Sequence, residues 1–166
     1  MFARYYVELP IDPDAVERAL SVGPPSWLGK LASEANHRGD ALLADVGFGS
    51  RVRVARQVSV ELGVAVHTSG KTVLPLRWTP IGAQGLFPAL DADLEVAPLT
   101  PSRTQLAMSA RYVPPLGPIG HAVDRVVLYR VAEATLKDFL DRVGEALVRS
   151  VRAQDSEVRD VSAVAD

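Results

Sequence analysis

Arg56, His121 and Arg125 interrupt otherwise apolar positions, and they are the side chains with the clearest chemical potential in this chain. Arg56 has the same parity as Val58 on a strand-like stretch, so a regular strand would place its guanidinium on the apolar face. A buried guanidinium needs an anionic partner, which a ligand carboxylate, phenolate or phosphate would supply. The alternative is a bulge within residues 53–57, which would shift the register and expose Arg56.

His121 and Arg125 fall on the same helical stripe as Leu128 and Leu136, because a helix returns to one face every three or four residues. Both side chains would then point toward the mouth of a cavity beneath the helix. An imidazole there could move a proton, and a guanidinium could hold an anion. The alternative is a helix end that extends beyond its support and leaves both side chains in water.

Trp78 and Tyr112 each combine a large apolar ring with one polar atom. Such side chains suit an aromatic or polycyclic ligand, although plain core packing is the alternative for both. We assign no catalytic residue. The candidate ligand-binding residues are Arg56, Leu76, Trp78, Met108, Tyr112, His121, Arg125 and Leu128.

The sequence does not predict a metal site or a pair of catalytic carboxylates. The three histidines lie far apart along the chain and lack the spacing by which neighbouring residues share a metal, so we expect no metal site and no cofactor. Asp91, Asp93 and Glu95 alternate with apolar residues and are predicted to face solvent. A facing pair of carboxylates, as sugar hydrolysis requires, therefore has no obvious place.

Composition narrows the class of protein. The chain has 166 residues, 48% of them hydrophobic, a net charge of −2 and no cysteine. Its length predicts one domain over residues 1–150, with a frayed or disordered tail over 151–166. Without a basic excess, we expect no nucleic-acid partner. No apolar run reaches the ~20 residues of a membrane helix, so we expect no membrane insertion and a cytoplasmic location.

Strict alternation of apolar and polar residues predicts half-buried strands, most clearly over 58–62, 90–96 and 105–112. The short turns between such runs favour an antiparallel meander. Beyond residue 120 the period changes to 3.6 for roughly 28 residues, which predicts a long amphipathic helix.

The segment before these strands is predicted to contain both strands and helices. Residues 2–9 alternate as a first strand. A short helix should run from Pro13 to about Leu20, and a second should start near Trp27 and end at Gly39. Residues 41–46 then resemble a second strand.

This element order resembles the helix-grip fold of the SRPBCC (Bet v 1/START-like) superfamily, including its polyketide cyclase/dehydrase-like bacterial members. The most suggestive segments are 76–78, 86–88, 94–99 and 112–117. The resemblance implies an α+β fold in which a curved antiparallel sheet of six to seven strands wraps around the C-terminal helix. It also implies a deep pocket between them, which in the superfamily holds lipids, sterols, aromatic polyketides or hormones.

The leading functional hypothesis is the binding of a lipophilic or aromatic small molecule between the sheet and the C-terminal helix. One alternative is a polyketide cyclase/dehydratase-like enzyme, in which Arg56 or Arg125 stabilises an enolate and Tyr112 or His121 moves a proton. A further alternative is a protein-interaction module with a filled interior. The expected partner is a hydrophobic small molecule, and the chain is expected to be a monomer or homodimer.

Overall fold

The computed structural model describes residues 2–21, 27–43, 57–81, 90–112 and 125–164. These ranges contain three helices and six strands. In chain order they are β1 (Phe2–Leu9), α1 (Pro13–Ser21), α2 (Trp27–Leu43), β2 (Gln57–Leu62), β3 (Val66–Thr68), β4 (Lys71–Ile81), β5 (Leu90–Thr100), β6 (Arg103–Tyr112) and α3 (Arg125–Val164).

The strands form one antiparallel sheet in the order β1-β6-β5-β4-β2, with β3 paired to β4. The predicted α+β class, the antiparallel sheet and the long C-terminal helix are confirmed. Residues 90–100 show why the pattern was informative. Leu90, Ala92 and Leu94 are buried, whereas Asp91 and Asp93 are exposed, so period-two alternation separates an inner from an outer face.

α3 covers the inner face, which carries Leu74, Leu76 and Trp78. Its side chains at three- and four-residue spacing are buried in the same core as the inward strand residues; they are Ala132, Leu136, Phe139, Leu140, Val143, Leu147 and Val151. A helix of 40 residues is about 60 Å long. None of the helices in the described ranges combines the length and apolar character that a bilayer span requires.

Arg142 joins α3 to α2 at the edge of this core. Its Nε donates to Asp138 Oδ2 over 2.7 Å, and its Nη1 donates to Glu34 Oε2 over 2.8 Å. The hydrogen bond to Asp138 raises the pKa of the Arg142 guanidinium above its ordinary value. This side chain therefore stays charged and links the two helices.

Two element boundaries differ from the sequence-based expectation. α2 continues through Gly39 to Leu43, where residues 41–43 were expected to begin a strand; residues 44–46 lie outside the described part. An internal glycine costs a helix only about 1 kcal/mol, and Ala41, Leu42 and Leu43 favour helix.

α3 likewise continues to Val164 through the segment predicted to be a frayed tail, 151–166. Apolar periodicity reports a packing partner, so its loss after Gln154 does not by itself end a helix, and residues 155–164 contain no glycine or proline that would break it.

Gly144 sets the distance between α3 and β1. A Cβ at this position would lie 2.9 Å from Leu9 Cδ2 and 3.4 Å from Val7 Cγ2. We expect Gly144→Val to lower the free energy of unfolding by about 1–3 kcal/mol, because its branched methyl groups overpack this contact. Urea denaturation measures the change.

Gly144→Ala is the matched control. Its methyl group displaces only the end of the Leu9 side chain, and the gain in helix propensity of about 1 kcal/mol offsets that strain. A valine variant as stable as the alanine variant would show that the contact is loose.

Candidate functional site

Cross-strand pairing arranges the inner face of the sheet in rows, and three of them contain the predicted binding residues that lie on the strands. Of these three, the two outer rows carry large side chains, whereas the middle row is mostly alanine. The rows occupy the positions Tyr5–Met108–Leu94–Leu74, Ala3–Ala110–Ala92–Leu76–Leu62 and Tyr112–Leu90–Trp78–Val60.

Trp78 is the largest fully buried side chain of the described residues and connects the sheet to α3. Its ring packs edge-on against Phe139, with 5.2 Å between ring centroids and an interplanar angle of 72°. This is the favoured T-shaped geometry, in which the positive edge of one ring meets the negative face of the other. The pair fixes the orientation of the indole.

The indole Nε1 of Trp78 is buried and has no hydrogen-bond partner among the described residues. The three buried hydroxyl groups in the described part of the chain are all bonded: Thr72 to Glu17, Thr104 to the Ile11 carbonyl, and Thr135 to the Val131 carbonyl. A buried donor left without an acceptor costs about 1–3 kcal/mol. The Trp78 donor is therefore the unusual polar atom in this core, and it calls for an acceptor.

The structure brings together three of the predicted binding residues. Leu76, Trp78 and Met108 are all buried on the inner face. Tyr112 ends β6, and its backbone pairs with Leu90 in the row of Trp78; its side chain is not described.

The other candidates are placed less fully. Arg125 and Leu128 lie in the first turn of α3, with side chains outside the described set. Arg56 and His121 lie outside the described residues altogether, so their roles stay predictions.

A polar cluster that the sequence did not reveal lies toward the opposite end of β4. The Thr72 hydroxyl donates to Glu17 Oε1 over 2.5 Å, and His67 Nδ1 lies 2.9 Å from Thr72 Oγ1. With the threonine proton directed to Glu17, the imidazole N–H is the donor to Thr72. The cluster connects α1 to the β3–β4 hairpin and closes this end of the core. The only sequence signal was the parity of Thr72, which it shares with Leu74.

The outer face of the sheet carries the charges. Arg77 Nε donates to Asp91 Oδ1 over 2.9 Å, and this hydrogen bond raises the pKa of Arg77 above its ordinary value. Glu95 accepts from Lys71 at 2.8 Å and from Arg4 at 3.3 Å. The predicted outward orientation of the β5 carboxylates is thus confirmed. Among the described residues, the inner face offers no carboxylate pair for acid–base chemistry.

We expect Thr72→Val to lower the free energy of unfolding by about 1–3 kcal/mol, because it keeps the shape of the side chain but leaves Glu17 and His67 without their shared partner. Thermal or urea unfolding measures the effect. Thr79→Val is the control, since Thr79 lies exposed on the outer face of the same strand. Equal stability of the two variants would show that the cluster does not stabilise the fold.

No protein-family model matches the sequence, and no curated protein matches it either. Solved structures are similar. A conserved protein from Geobacillus kaustophilus aligns over 90% of this chain and 97% of its own, with 14% identity and a TM-score of 0.53. The Zhui aromatase/cyclase from Streptomyces sp. R1128 aligns over 93% and 97%, with 17% identity and a TM-score of 0.44.

A START superfamily protein from Mycobacterium smegmatis aligns over 87% of this chain and 98% of its own, with 12% identity and a TM-score of 0.43. At these identities the likeness concerns the fold alone. In this chain a long C-terminal helix, α3, lies on the inner face of an antiparallel sheet in which β1 pairs with β6. The chain therefore has a helix-grip fold.

Proposed function

We propose that this protein binds a lipophilic or aromatic small molecule between the inner face of the sheet and α3. The observation that carries the proposal is the buried Nε1–H of Trp78, which has no hydrogen-bond partner among the described residues. An acceptor atom on a ligand would recover the free energy that this donor loses on burial. The indole is already held by Phe139, so little side-chain entropy would be lost on binding.

The surroundings of Trp78 favour an apolar ligand. The buried residues among those described are aliphatic, aromatic or alanine, apart from three threonines that already have partners. They include no Asp, Glu, Lys, Arg or His. A ligand at Trp78 would thus gain about 25 cal/mol per Å² of apolar surface that it buries, and a charged group would find no described counter-ion.

The direction of the strands supports a site at one end of the sheet. β4 ends three residues after Trp78, β6 ends at Tyr112, and β5 begins at Leu90. Cross-strand pairing aligns these positions in one row. The polar cluster of Glu17, Thr72 and His67 closes the opposite end, so we infer that a ligand enters on the Trp78 side.

The cyclase/dehydratase alternative depends on Arg56, His121 and the side chains of Tyr112 and Arg125. None of these is described, and no described observation favours a reaction over binding. That alternative therefore stays a prediction from the resemblance.

A panel of flat aromatic ketones, sterols and long-chain fatty acids tests the proposal by thermal shift. A ligand present at 100 times its dissociation constant stabilises the protein by about 2.7 kcal/mol. We expect this to raise the Tm by roughly 5–10 °C in a chain of this size. The proposal fails if no compound of the panel raises the Tm in a concentration-dependent way.

Trp78→Phe isolates the hydrogen bond. The variant keeps an aromatic ring next to Phe139 but lacks the N–H donor. For an aromatic ketone we expect about three- to tenfold weaker binding by calorimetry, because a neutral hydrogen bond contributes about 0.5–1.5 kcal/mol. The matched hydrocarbon without the carbonyl should lose no affinity through the missing donor. Equal losses for both ligands would mean that the indole acts only through its apolar surface.

A further inference from the structure

β1 lies at an edge of the sheet. It pairs with β6 on one side, and no described residue pairs with its other side. All eight residues of β1 keep a regular register with β6, without proline or bulge. Such an edge presents a row of unpaired backbone N–H and C=O groups, which is a template for another strand.

There is space beside this edge. A depression of about 330 Å³ is lined on one side by the consecutive residues Ala3, Arg4 and Tyr5. Neighbouring residues of a strand point to opposite faces, so a depression that touches all three runs along the strand edge. α3 forms the opposite wall, where the Lys137 ammonium lies 5.2 Å from the centre of the Tyr5 ring.

The outward side chains of β1 are unusual for a solvent-exposed edge. Phe2 is 55% exposed and Tyr6 57% exposed. Between and after them lie Arg4 and Glu8, whose side chains are also about half exposed. Arg4 lies 3.3 Å from Glu95, and Glu8 lies 3.8 Å from Arg103. A guanidinium has five donors, so Arg4 retains the capacity for a second carboxylate.

This strand is self-complementary in one antiparallel register. When Tyr6 of one copy lies opposite Tyr6 of the second copy, Arg4 of each copy lies opposite Glu8 of the other. The two-fold symmetry thus creates two equivalent Arg4–Glu8 pairs. A shift by two residues in one strand places Arg4 opposite Tyr6 and loses both ion pairs. A shift by four places Arg4 opposite Arg4. A shift by one turns the outward residues of the partner to the wrong face.

We propose that β1 pairs with β1 of a second copy of this chain in the Tyr6–Tyr6 register. The two sheets then form one continuous sheet around a two-fold axis at Tyr6. Backbone hydrogen bonds supply the attraction, while the reciprocal Arg4–Glu8 pairs select the register. The edge-to-edge contact is small, so the dimer forms reversibly with protein concentration.

Charge reversal tests the register by sedimentation velocity over a concentration series. We expect Arg4→Glu to weaken the dimer about tenfold, because it replaces two attractive cross-strand pairs with two repulsive ones. The double variant Arg4→Glu, Glu8→Arg restores the pairs in reverse order and should recover the dimer. Thermal unfolding of each variant shows whether the single change acts through the loss of the Glu95 contact. A wild-type chain that stays monomeric up to about 1 mM overturns the proposal.

Disulfide trapping gives an independent test, since the chain contains no cysteine. Tyr6→Cys places two thiols directly opposite each other, at a Cα separation that a disulfide can span. We expect this variant to cross-link under mild oxidation much faster than Asp93→Cys, an exposed control on the outer face of β5. Arg4→Cys should cross-link slowly alone and rapidly when combined with Glu8→Cys. Equal rates for the Tyr6 and Asp93 variants, or faster cross-linking of Arg4→Cys alone, overturn the proposal.

Discussion

Burial of the α3 stripe against the inner face of the sheet is the constraint on which the other features depend. Leu136, Phe139, Leu140 and Val143 are buried in one core with the inward residues of the sheet, and α1, α2 and β1 also lie against α3. This demand makes the sheet two-sided, since a strand that gives apolar side chains to the helix must turn its alternate residues to solvent. The ion pairs of Arg77 and Glu95 lie on the outer face for that reason. Gly144 allows the helix to approach β1 closely enough for the burial to be complete.

A polar atom buried in such an apolar core needs a hydrogen-bond partner, because burial removes its hydrogen bonds to water. Thr72, Thr104 and Thr135 meet this requirement, each through a different element. Trp78 has no such partner among the described residues, although its ring is buried and packs against Phe139. Among the described residues, packing and hydrogen bonding thus disagree at Trp78, and local disagreements of this kind are expected at functional sites. The likeness to other helix-grip structures supplies the architecture, whereas the case for a ligand comes from this atom.

The spacing of apolar residues was enough to predict the strand faces and the long helix. Within one strand or helix, backbone geometry alone determines which residues share a face, so the buried face can be read from a short stretch of sequence. Leu76, Trp78 and Met108 were placed correctly on the inner face for this reason. Contacts between distant segments were not predictable: Thr72 is 55 residues from Glu17, and no local pattern joins them. A strand at residues 41–43 was the wrong prediction, because a short apolar run is compatible with a strand and with a helix end equally well. At Arg125 and Leu128 the helix is confirmed but the role is not.

The polar cluster of Glu17, Thr72 and His67 also bears on the rates at which a ligand would bind and dissociate. It ties α1 to the hairpin of β3 and β4, so a ligand bound beside Trp78, as proposed, would enter and leave at the other end of the sheet. A narrower entrance would slow association and dissociation by the same factor and leave the dissociation constant unchanged. Residence time and affinity can then change independently. Side chains at the entrance would set the residence time of the ligand, whereas side chains around Trp78 would set its affinity.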